Sequence, residues 1–206
     1  MKKHKKFDFF NSDYNVMCIV VNIITLIRFP LTILFVFFAR RYILEIENIF
    51  GVYAIVISIL VFFSDFIDGK LARWNNCVTK IGQSLDIYLD FIYILSGMII
   101  FNCYSLLPIS FTILVIYKFC EFLILSKVLP RGNKGIKDDK YFFDKMGGLI
   151  SVIYYIIPTI KLIFMMINNN FFDIIMTAIL VVTSILTFVA SFCKIKANLK
   201  KMKGIC

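Results

Sequence analysis

The feature that most constrains this chain is a series of six apolar stretches, at residues 16–38, 49–67, 83–103, 109–128, 146–167 and 172–192. Each is close to the ~20 residues that a helix needs to cross the hydrocarbon core of a bilayer. Backbone N–H and C=O groups in hydrocarbon find no water, so each segment must satisfy them internally and therefore be helical. The expected fold is an all-α integral membrane protein of six transmembrane helices, forming a single domain over residues 1–206. Composition agrees, since 60% hydrophobic residues and 23 Phe lie well outside the range of a soluble domain.

The amino terminus begins with basic residues and runs into an apolar stretch, as a signal peptide does. That stretch contains Asn22 and Arg28, and no small-residue cleavage site follows, so it is expected to stay as the first span. Residues 1–15 mix lysines with Phe7, Phe9, Phe10 and Tyr14, which suits a short N-terminal interfacial segment. The connections at 104–108 and 168–171 barely allow a turn, so they join antiparallel neighbours and leave no room for a soluble domain.

A net charge of +10 raises the question of nucleic acid, but its placement answers against it. Lys2, Lys3, Lys5 and Lys6, the basic residues between the second and third spans, those of 127–145 and the C-terminal lysines all fall on one side. Arg40 and Arg41 fall on the other, with Lys161 near them. This is the positive-inside asymmetry: it predicts a multi-pass cell membrane protein with both termini in the cytoplasm, and it makes the basic excess a matter of orientation and anionic headgroups. The six cysteines show no paired or metal-ligand spacing and read as small apolar residues. His4, the only histidine, excludes a histidine-based zinc site.

Ionisable groups at membrane depth are costly, so each is a functional candidate until a partner accounts for it. Four of the 13 acidic residues sit at the cytoplasmic ends of the second and third spans, separated by a predicted loop carrying Gly69, Ala72 and Arg73. Asp65 and Asp68 are three apart, Asp86 and Asp90 four apart, so each pair shares a helix face. Two such faces meeting across a turn put four carboxylates around a small volume, and their repulsion calls for a cation. Purely structural pairing would need more than Lys70, Arg73 and Lys80. An all-oxygen ligand set selects a hard ion, Mg²⁺ first and Mn²⁺ second.

The segment Asp65-Phe-Ile-Asp68-Gly69-Lys-Leu-Ala72-Arg73, followed after eight residues by Gly82-Gln-Ser-Leu-Asp86-Ile-Tyr-Leu-Asp90, resembles the signature of the CDP-alcohol phosphotransferase family. All eight fixed positions and every spacing match; at ordinary residue usage, chance would give this on the order of 10⁻¹⁰ times per starting position. Asn22, Thr25 and Arg28 also resemble the family's Asn-x-x-Thr-x-x-Arg element. The resemblance implies two divalent ions over the pyrophosphate of a CDP-linked donor, with Asp65, Asp68, Asp86 and Asp90 as ligands. It makes Asp90 the base that deprotonates the acceptor hydroxyl, with CMP as leaving group. Gly69 and Ala72 would admit the cytidine, and Asn22, Thr25, Arg73 and Gly82 would help line the nucleotide site. A homodimer is implied as well.

Each of these positions also has a plainer reading. Gly82 allows close helix packing, Asn22, Thr25 and Arg28 serve as interhelical glue, and Arg73 braces an aspartate. Lys118 and Glu121, an i,i+3 pair inside the fourth span, are expected to neutralise each other. For the acceptor, Arg131, Lys134 and Lys137 suit a phosphate, which narrowly favours glycerol 3-phosphate over inositol phosphate, inositol or serine. Two departures weigh against it: Phe91 follows Asp90 where makers of phosphatidylglycerol phosphate often have lysine, and Lys134-Gly135-Ile136-Lys137-Asp138 only echoes their Gly-Lys-x-Lys-Thr. The expected donor is CDP-diacylglycerol; transfer from a CDP-linked small alcohol to diacylglycerol is the reverse arrangement. A prenyltransferase would need two widely separated aspartate motifs. A divalent-cation transporter would place acids near the midplane, often with inverted repeats.

Overall fold

The computed structural model describes the backbone of residues 12–74, 80–128 and 145–203, and side chains over 23–71, 74, 82–125 and 146–195. Among the described residues six helices follow one another: α1 (Ser12–Glu45), α2 (Asn48–Trp74), α3 (Lys80–Cys103), α4 (Ile109–Val128), α5 (Lys145–Ile167) and α6 (Asn170–Lys203). No strand occurs among the described residues. Among the described residues, five helices carry stretches long and apolar enough to cross a membrane: Ile23–Glu45, Asn48–Leu71, Gly82–Cys103, Met146–Ile167 and Asn170–Ile195. The fourth helix places Lys118 and Glu121 in its interior.

The two longest helices run furthest past their expected spans. At ~1.5 Å per residue, the 34 residues of α1 and of α6 each cover about 50 Å, more than the ~30 Å hydrocarbon core. The helix α1 starts at Ser12, so residues 12–15 belong to it, while the rest of the expected interfacial segment lies outside the described residues. A second correction concerns Gly69, Ala72 and Arg73, which were expected in a loop. They continue α2 as far as Trp74, since the stretch after Asp68 contains good helix formers and no proline to stop it.

Tight turns close the far end of the bundle. Residues Ile46, Ser105 and Asn168 sit at φ of 57°, 56° and 49°, each just beyond a helix end. One residue in the left-handed region reverses the chain and satisfies a terminal carbonyl, as the Ile46 N–H does on the Tyr42 oxygen at 2.9 Å. Arg41 pairs there with Glu45, and Lys161 of α5 with Asp173 of α6 at 3.1 Å.

The helix α1 lies against α2 and α3, and α5 packs on α6, α2 and α3. Two glycines set close approaches. A Cβ on Gly97 of α3 would meet Pro158 of α5 at 2.8 Å, and one on Gly51 of α2 would meet Met166 of α5 at 2.8 Å. Small residues at such crossings let membrane helices reach van der Waals contact without a hydrophobic drive between them. Polar cross-links reinforce the centre: the Ser58 and Tyr93 hydroxyls lie 2.7 Å apart, and Ser58 also bonds Thr159, joining α2, α3 and α5. Among the described residues, Cys103, Cys120 and Cys193 are exposed and unpaired.

Candidate active site

All six helices bring chemistry to the end of the bundle opposite those turns. It is formed by the first half of α1, the ends of α2, α4 and α6, and the starts of α3 and α5. At its centre stands Arg28 of α1, fully buried. Its Nη2 donates to Asp68 Oδ2 at 2.8 Å and lies 3.2 Å from Asp65 Oδ1. Its Nη1 donates to Asp86 Oδ1 at 2.9 Å and to Asp90 Oδ1 at 2.5 Å. One guanidinium thus takes one oxygen from each of the four aspartates, two on α2 and two on α3. The planar fork of arginine suits this, since its two terminal nitrogens face separate acceptors at fixed spacing. One turn earlier, the Thr25 hydroxyl donates to Asp68 Oδ2 at 2.8 Å, and the Ser64 hydroxyl donates to the Ile24 carbonyl at 3.2 Å.

The residues fit a bound metal on three counts. Among the described side chains, four carboxylates face one guanidinium, a formal excess of three negative charges. Carboxylate oxygens of Asp65, Asp68 and Asp86 lie within 4.8 Å of one another. The second oxygen of Asp68 is buried with no hydrogen-bond partner, although burial without one is costly. Exposure grades the set: the Asp68 side chain is 4% exposed, Asp90 28%, Asp65 and Asp86 37% each. The cluster therefore has a closed floor at Asp68 and Arg28 and an accessible side at the other three.

Beside it, residues of α3, α4, α5 and α6 line an open-sided cavity of about 250 Å³. Asp90 forms part of its wall, so one carboxylate belongs to both the cluster and the cavity. The remaining wall is largely apolar. Phe91 stacks on Phe119 with ring centroids 3.7 Å apart and planes 4° from parallel. Lys118, also in the wall and buried, donates to Glu121 Oε2 at 3.0 Å and to the Ser191 hydroxyl of α6 at 2.9 Å. The expected pairing of Lys118 with Glu121 is thus formed, with Ser191 as a third member that sequence spacing did not disclose. Gly148 leaves one side open, since a Cβ there would meet nothing within 4 Å.

The expected site residues divide as follows. Asp65, Asp68, Asp86 and Asp90 come together, with Thr25 against them. Gly69 follows Asp68 on α2, and Gly82 lies one turn before Asp86 on α3. The backbones of Asn22, Ala72 and Arg73 lie in α1 and α2, but their side chains are outside the described residues. Arg131, Lys134 and Lys137 fall wholly outside them. The engagement of Arg28 with all four aspartates was missed, although its spacing from Thr25 on one face was the available signal.

A family model described as CDP-alcohol phosphatidyltransferase matches residues 18–189. The chain is also 32% identical over 79 residues to a cardiolipin synthase (CMP-forming) from Streptomyces coelicolor (strain ATCC BAA-471 / A3(2) / M145). That match covers 38% of this chain and 37% of the relative, so it spans just over a third of the relative's length. With the four motif aspartates gathered on α2 and α3 at one end of an apolar helix bundle, and the family model covering most of the sequence, this chain belongs to the CDP-alcohol phosphatidyltransferase family.

Proposed function

We propose that the protein transfers a phosphatidyl group from CDP-diacylglycerol to the hydroxyl of an alcohol, releasing CMP. The observation that carries this reading is the double position of Asp90, in the carboxylate cluster and in the cavity wall. A donor pyrophosphate over the cluster and an acceptor hydroxyl in the cavity meet at that side chain. The hydroxyl gives its proton to Asp90 while its oxygen bonds to the phosphorus that bears diacylglycerol. The bond from that phosphorus to the bridging oxygen breaks, and the oxygen leaves as part of CMP.

Asp65, Asp68, Asp86 and Asp90 are the ligands of two divalent ions in this reading, Mg²⁺ by preference and Mn²⁺ next. Such ions offset charge on the attacking and leaving oxygens of a displacement at phosphorus. Asn22, Gly69, Ala72, Arg73 and Gly82 line the nucleotide. Thr25 joins them and also orients Asp68 through its hydroxyl. The positive-inside bias supports cytoplasmic termini and an active site at the cytoplasmic face of the cell membrane, reached by lipid from the side and by water from below. A homodimer of such single-domain chains is the assembly that the family signature implies.

Two acceptors are in view. Glycerol 3-phosphate is favoured by the basic residues Arg131, Lys134 and Lys137. A second reading, an acidic phospholipid with a free hydroxyl such as phosphatidylglycerol, is favoured by the cavity, whose aromatic wall and two lysines, Lys118 and Lys194, suit an anionic amphiphile better than a small polyol. The cardiolipin synthase among its relatives supports the second as well. The test supplies purified protein with CDP-diacylglycerol, Mg²⁺ and one alcohol at a time: glycerol 3-phosphate, phosphatidylglycerol, inositol phosphate, inositol and serine. The lipid product identifies the acceptor. Product only from a CDP-linked small alcohol and diacylglycerol would reverse the donor assignment, and no product under any pairing would refute the function.

A further inference from the structure

We infer that Arg28 is a positioning residue for the metal site: a resident counterion that gathers the four carboxylates before any divalent ion arrives. The role presupposes that the aspartates hold divalent ions, as proposed above. Arg28 is the one described cation in contact with the cluster, and it reaches Asp65, Asp68, Asp86 and Asp90 through two nitrogens. It is fully buried, whereas three of the carboxylates keep about a third of their side-chain surface open. Arg28 therefore holds the cluster from its closed side and leaves the accessible side to incoming ions. Each aspartate gives the guanidinium one oxygen, so each keeps a second, and that of Asp68 is buried without a partner.

Without this cation, four carboxylates on two helices would face each other with no other described cation among them, and like charges in a site of low polarity drive apart. The α2 and α3 ends would then separate in the metal-free protein and come together only when metal binds. With Arg28 present, the site is already assembled and metal binding does little folding work. Lysine is not an equivalent substitute, because a single ammonium point charge does not span two carboxylate pairs as the guanidinium fork does.

The experiment measures thermal unfolding of detergent-purified protein in EDTA and in saturating Mn²⁺, for the native chain and for Arg28→Met and Arg28→Lys. The quantity read is the gap between the two unfolding midpoints, because a ligand that binds only the assembled site raises the midpoint. For Arg28→Met the EDTA midpoint should fall and the Mn²⁺ gap should widen to about twice the native value, with Arg28→Lys between them. A merely structural loss would lower both midpoints together and leave the gap unchanged, which would overturn the inference, as would an unchanged EDTA midpoint. If Arg28→Met gives no folded protein, Arg28→Lys carries the test, and a native gap in that variant overturns it. Should Mn²⁺ shift neither the native chain nor the variants, the assignment of the aspartates as metal ligands fails instead. The EDTA midpoints then still judge Arg28 as counterion.

Discussion

Replacing Lys118 with methionine should be among the most destabilising single changes in the bundle. Lys118 and Glu121 are 7% and 8% exposed, and Lys118 is the cation that matches the Glu121 charge. Glu121 also accepts from the Ser191 hydroxyl at 2.5 Å, but its other oxygen is buried without a partner. Methionine fills much of the lysine volume yet removes the charge, so a carboxylate stays buried and uncompensated. Breaking a buried pair in this way costs about 3–5 kcal/mol. For a chain of this size, at ~2–4 °C per kcal/mol, the unfolding midpoint should drop by about 10 °C. Adding Glu121→Gln removes the stranded charge and keeps a hydrogen-bond acceptor for Ser191, so the double variant should recover most of the loss. The assay is a four-member cycle of unfolding midpoints in detergent, with a coupling of at least ~2 kcal/mol expected between contacting residues. Losses that simply add would show instead that the two charges act independently and that Lys118 does not compensate Glu121.

Other outcomes follow from the same geometry. Gly97→Val should cost about 1–3 kcal/mol, read as a lowered unfolding midpoint, because even its Cβ would lie 2.8 Å from Pro158 and the α3–α5 crossing would have to open. Phe91→Ala removes one plate of the Phe91–Phe119 stack in the cavity wall. It should raise KM for the acceptor by roughly 10-fold, the scale of a lost apolar contact, while KM for the CDP-linked donor stays unchanged. Chelation should abolish CMP release and added Mg²⁺ should restore it, while the far-ultraviolet circular dichroism keeps its helical form, since the helices are held by lipid-facing and interhelical packing rather than by the ions.

Much of the fold was legible because a bilayer allows few solutions. Apolar runs of spanning length have to be helices, and the fourth and fifth came within a residue of their expected limits, at Ile109–Val128 and Lys145–Ile167. The ends of α1, α2 and α6 were less legible, because hydropathy marks where a helix leaves hydrocarbon and not where it stops being helical. Thus Gly69, Ala72 and Arg73, polar or small enough to resemble a loop, simply extend α2. The four aspartates were legible from spacing, since steps of three and four put each pair on one face. What holds them was not: Arg28 is 37 residues before Asp65 and 62 before Asp90, and only the packing of α1 across α2 and α3 discloses the contact. The cavity was hidden for the same reason, being assembled from four helices, and Ser191 joins Lys118 across 73 residues of sequence.

Whether Asp90 takes a proton from an alcohol while a CDP-linked donor loses CMP can be read from CMP release. Purified protein would be given CDP-diacylglycerol, Mg²⁺ and the acceptor identified by its product, with Asp90→Asn measured alongside. CMP and phosphatidylated alcohol should appear in equal amounts, and the asparagine variant should lose at least ~10²-fold in kcat, the scale expected when a general base is removed. Full activity in Asp90→Asn, with the same product, would rule out Asp90 as the base.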